Sequence, residues 1–133
     1  MSATAHLRSA VSSAVMAEVT LDDGRLHLTW GRWERVGACR GDVDLPLAAV
    51  HAVRPVDNAY AEIHGVRMPG SAWPGRFAMG TWRWRGRRDV VAVHGRRPRG
   101  VVIDLEPGSQ VDRLIVTVDD PEALVRQIRR AVR

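Results

Sequence analysis

The chain has 133 residues, 45% of them hydrophobic, with one cysteine and a formal net charge of +5. That length makes one domain with a single core that needs no staples. A lone cysteine excludes an internal disulfide, and no apolar run approaches the length of a membrane-crossing helix.

Residues 1–15 carry Leu7, Val11, Ala14 and Val15 on one helical stripe among four serines. They read as an N-terminal extension, a short helix or disordered. They are too polar for the core of a signal peptide, so a cytoplasmic protein is expected. The domain proper takes residues 16–133. Residues 17–21 and 25–30 alternate in polarity around Asp22-Asp23-Gly24, a hairpin signal. His27 falls on the polar side and reads as a solvated strand histidine. Residues 33–38 read as a third short strand, with Cys39 after it as a structural thiol. Arg40-Gly41-Asp42 is a turn. Residues 43–50 contain Pro46 and so read as an edge segment or corner. Residues 50–56 resume a strand, with Val50 and Ala52 on one side and His51 and Val53 on the other. Residues 57–64 form a turn or helical bend.

Residues 65–95 are the stretch around which the chain is organised. Pro69-Gly70 and Pro74-Gly75 each read as the middle of a type II turn, because Pro sets φ and Gly accepts φ > 0. Trp73 lies between them and either caps the core or offers a flat face to a ligand. Residues 76–85 alternate as a strand, in which Gly80 suggests a bulge or a close backbone approach. Residues 85–88 turn, and residues 89–94 return as the second arm of a hairpin. Val101, Ile103 and Leu105 share one face of the next strand. Residues 106–109 turn, and residues 111–118 form the last strand. Asp120-Pro121-Glu122 is a helix start, with Asp at the N-cap and Pro at the first helical position. The helix spans residues 121–132, with Leu124, Ile128 and Ala131 on one face.

The charge is lopsided. Residues 76–100 hold eight Arg against Asp89, a net of +7, while the remainder holds twelve Arg against fourteen acids, a net of −2. Lysine is absent, which reads first as the imprint of a GC-rich genome. Arginine heads are nonetheless planar forks suited to phosphates, carboxylates and aromatic faces.

About seven antiparallel strands followed by one helix imply a mainly β domain. A two-sheet antiparallel barrel capped by the C-terminal helix fits, the pleckstrin-homology-like (PH-like) arrangement. The segments GDVDLPLAAV, GVRMPGSAWPGRFAMGTWR and LIVTVDDPEALVRQI also resemble a group of small actinobacterial PH-like proteins. The resemblance covers about Met16 to Val132. Its most specific parts are the loop from Arg67 and Pro69-Gly70 to Pro74-Gly75, the Gly80-Thr81-Trp82-Arg83 strand and the Asp119-Asp120-Pro121 cap. It implies the fold and carries no activity or site residue with it.

The functional expectation is a binding module that recognises a protein partner or an anionic lipid surface. Its candidate residues are Arg67, Trp73, Arg85, Arg87 and Arg88, with Arg96, Arg97 and Arg99 as outer charge. No cofactor, metal or catalytic residue is expected, since His51, His64 and His94 lack metal-ligand spacing and Cys39 lacks a partner. One alternative is a small barrel enzyme, an isomerase or cyclase, with a pocket near His64 and Tyr60, Glu62 and Asp57 close in sequence. A second is nucleic-acid binding by the Arg/Trp strand, in which Trp82 or Trp84 stacks bases; that reading requires the Trp face to point outward. A homodimer through an uncovered strand edge or the N-terminal segment stays open.

Overall fold

In the computed structural model, residues 17–31, 34, 41–73 and 76–132 are described, with the backbone alone for residues 68 and 69. The N-terminal extension, Cys39, Pro74-Gly75 and the expected third short strand apart from Glu34 therefore lie outside the described residues; Glu34 itself is helical, not extended. The fold is mainly β: the described residues form nine strands in two sheets and one C-terminal helix.

The first sheet is a three-stranded meander of β1 (Ala17–Asp22), β2 (Arg25–Trp30) and β3 (Val43–Pro46). Asp23 and Gly24 turn β1 into β2 with φ of 47° and 76°, the paired positive values of a type I′ hairpin. Pro46 ends β3, and a 3₁₀ turn (Leu47–Ala49) makes the corner into the second sheet.

The second sheet contains β4 (Val50–Val56), β5 (Val66–Trp73), β6 (Phe77–Trp84), β7 (Arg87–His94), β8 (Gly100–Leu105) and β9 (Arg113–Thr117). Its order is β4-β8-β9-β7-β6-β5. All neighbours are antiparallel except β7 and β9, which run parallel. The two sheets stack as a sandwich and are not hydrogen-bonded into a closed barrel. A PH-like sandwich accommodates this layout.

The first core fills the space between the sheets. Leu26, Leu28 and Val43 meet Val90, Ile103 and Leu114 there, all fully buried. Helix α1 (Pro121–Val132) closes this core with Leu124, Val125 and Ile128. Asp120 caps it by accepting the Ala123 N–H at 3.1 Å. Arg129 donates to the Val53 carbonyl at 3.1 Å and ties the helix to edge strand β4.

The second sheet buries its other face as well. Val91, Val93, Val102, Ile115, Ala78 and Trp82 form a second cluster, against which Tyr60 and Ile63 pack from the 3₁₀ turn Ala59–Glu62 and its end. Burial on both faces explains the continuous apolar runs of β7 and β9.

Two expectations need correction. Pro69-Gly70 does not turn; it lies inside edge strand β5. Between the pairs Arg67↔Trp82 and Gly70↔Gly80, β5 holds one residue more than β6, a bulge. Proline is tolerated there because an edge strand does not need its N–H. A Cβ on Gly70 would meet the Met79 carbonyl oxygen at 2.4 Å, so the two backbones require glycine. In β4, Val50 and Val53 both face inward while Ala52 is exposed, because a register shift between Val50 and Ala52 breaks the alternation.

Candidate functional site

The eight arginines of residues 76–100 do not form one patch. Strand β7 separates them into two groups at opposite ends of the second sheet. Seven residue steps from Arg87 to His94 span about 23 Å. One group surrounds the β6–β7 turn, the other the β7–β8 loop.

At the β6–β7 tip, Arg85 and Gly86 form a two-residue turn with φ of 52° and 78°. Arg83 and Arg88 stand directly opposite each other across the ladder, both exposed. Like charges so placed are destabilising. Neither has an ion-pair partner among the described residues, and neither do Arg67 or Arg85. Val66 pairs with Arg83 and is 63% exposed.

Trp84 sits on the other face of the tip, partly exposed. The Arg85 guanidinium carbon lies 4.7 Å from its ring centroid and that of Arg87 5.1 Å. His64 stacks on it at 5.1 Å with a 31° tilt. Gly65 allows this approach: a Cβ there would meet the Arg83 carbonyl oxygen at 2.1 Å.

Beneath the tip a charged row crosses five strands. Arg67, Trp82, Asp89, Arg113 and Asp104 are successive cross-strand partners. Arg87 donates twice to buried Asp89, at 2.9 and 3.1 Å, and Arg113 to Asp104 at 2.6 Å. Burial raises the Asp89 carboxyl above its usual range, against the pull of Arg87 and Arg113. Arg87 is thus committed to the fold, and the free charge of the tip belongs to Arg67, Arg83, Arg85 and Arg88.

At the far end, Trp73 is 63% exposed, so it presents its ring and does not cap the core. Arg96 and Arg97 are exposed without carboxylate partners among the described residues, whereas Arg99 donates to Glu122 at 2.8 and 3.0 Å. They flank an open groove of about 470 Å³ against Asp57, Asn58 and Tyr60.

No protein-family model, curated protein or solved structure matches the chain.

The geometry separates the alternatives. Trp82 is buried among Val91 and Val93, so it offers no face to a base, and Arg85 and Arg87 lie over the Trp84 ring. His64 is exposed and lines neither this groove nor a second one of about 500 Å³ beside Asp44 and Glu106. In that second groove the polar groups are already engaged, Arg25 with Asp44 at 2.7 Å and Glu106 with His51 Nδ1 at 3.1 Å. Among the described residues no group of three or more metal-ligating side chains converges, and no helix is long and apolar enough to cross a membrane. The missed feature is the division of the basic patch, which the eight-residue length of β7 implies.

Proposed function

We propose that this chain is a non-enzymatic binding module that docks on an anionic lipid surface through the β6–β7 tip. The observation that carries it is the pair Arg83 and Arg88, opposed across two strands with no carboxylate on either guanidinium among the described residues, the Asp112 carboxylate accepting only the Arg88 backbone N–H at 2.7 Å. A fold selected for stability alone places a carboxylate or a threonine at one of these positions. Arg85 adds a second local cost, since a long side chain at φ 52° is strained by roughly 1 kcal/mol. Both costs fall within three residues of the same turn.

An anionic surface offsets them. Each basic residue near an anionic leaflet contributes about 1 kcal/mol, so four free guanidinium groups supply roughly 4 kcal/mol, a thousandfold in affinity. Exposed Val66 pairs with Arg83 among these charges, an apolar-plus-basic combination that suits a headgroup interface. Co-sedimentation with phosphatidylserine-containing and neutral vesicles, at low and high salt, tests this. Binding confined to anionic vesicles and weakened by salt is expected; equal binding to neutral vesicles overturns it.

A further inference from the structure

We propose that the groove between the β7–β8 loop and the 3₁₀ turn Ala59–Glu62 binds a small phosphorylated ligand that carries a flat ring, of mononucleotide type. This site is independent of the tip and lies at the opposite end of the sheet. The tip is a two-residue turn proposed to meet a surface. The groove is an open depression of about 470 Å³, in which one small molecule can rest with part of its surface left in solvent.

Its walls divide by chemistry. Tyr60 and buried Pro98 supply an apolar side against which a flat ring can rest. Arg96 and Arg97 supply two exposed guanidinium groups without carboxylate partners among the described residues, forks that match phosphate oxygens. Asp57, whose side chain is 98% exposed, and Asn58 line the same groove; the Asp57 carboxylate can accept from ligand hydroxyls, and the Asn58 amide, whose Oδ1 accepts the Tyr60 N–H at 3.2 Å, can donate to them.

The loop is pinned, which distinguishes it from a solvated run of arginines. The Gly95 N–H donates to the Arg76 carbonyl at 2.9 Å, and the Tyr60 hydroxyl to the Gly95 carbonyl at 3.1 Å. The Ala59 N–H donates to the Pro98 carbonyl at 2.9 Å and the Arg99 N–H to the Arg97 carbonyl at 2.8 Å. The Val118 N–H donates to the Arg99 carbonyl at 3.2 Å. Arg99 itself is spent on Glu122, with Asp57 3.9 Å away, so it braces the wall. The two free arginines thus project from a backbone that needs little ordering on binding, which favours affinity for a small ligand.

The test is titration of the full chain with adenosine monophosphate, adenosine and inorganic phosphate, followed by NMR. Saturable shifts are expected with adenosine monophosphate, with weaker binding of either fragment alone. Arg96→Ala/Arg97→Ala should weaken binding roughly tenfold or more. Arg83→Ala/Arg88→Ala, at the other end of β7, should leave it unchanged, and circular dichroism should show both variants folded. No saturable shift with adenosine monophosphate, or binding that survives Arg96→Ala/Arg97→Ala, overturns the proposal. So does an equal loss in Arg83→Ala/Arg88→Ala.

Discussion

Arg85 occupies a backbone position that Asn, Asp or Gly fills at lower cost. Its φ of 52° together with 78° at Gly86 makes the type I′ turn that strongly favours Asn-Gly. Arg85→Asn should therefore stabilise the chain by about 0.5–1 kcal/mol in urea denaturation while weakening vesicle binding. Gly65 is the opposite case. Its φ is 93°, and a Cβ would meet backbone 2.1 Å away, so Gly65→Ala should cost on the order of 2 kcal/mol or more by the same measurement. His94 fixes the sign of one pH response. Burial lowers its pKa below the usual value, against Asp119 and Glu34. The unfolded chain then binds more protons as pH falls through the ordinary histidine pKa, about 6.5, towards the lower folded value. His94 therefore draws stability down as pH drops through that window. His94→Gln, which cannot titrate, should show a flatter denaturation midpoint between about pH 7 and pH 5.

At the scale of elements, the opposed arginines of β6 and β7 set stability against binding. Arg88→Glu places an acid across from Arg83 and should raise stability by about 0.5 kcal/mol while reducing affinity for anionic vesicles. A purely solvated face predicts the gain without the loss. The C-terminal helix is governed by its cap: Asp120→Ala removes the acceptor of the Ala123 N–H and should cost about 1 kcal/mol. This helix was fully legible in the sequence because Asp, Pro and Glu stand in order before a 3.6-residue apolar stripe. The Asp23-Gly24 hairpin was legible because only a few residue types accept paired positive φ. Pro69-Gly70 was misleading for a physical reason. A turn and an edge-strand bulge both demand Gly and tolerate Pro, and only the pairing of Gly70 with Gly80 distinguishes them. The alternation of Trp82 and Trp84 with Met79 and Arg83 gave no inward face because both faces of the second sheet are buried.

Across the whole molecule, the sequence showed that the excess charge belongs to residues 76–100 but not that it is divided in space. The division follows from β7, which carries Arg87 and Arg88 at one end and delivers Arg96 and Arg97 past the other. Charge spread evenly over a surface acts as a single field, whereas two groups about 23 Å apart, well beyond a Debye length at physiological salt, can serve different ligands. The measurement that tests this most directly is co-sedimentation with phosphatidylserine-containing vesicles of wild type beside two charge-matched variants. Arg85→Ala/Arg88→Ala removes two charges at the tip, and Arg96→Ala/Arg97→Ala removes two at the groove. The account predicts that the tip variant loses most of its vesicle binding and the groove variant keeps nearly all of it. Equal losses in both variants would contradict the account and reduce the arginines to one diffuse basic face.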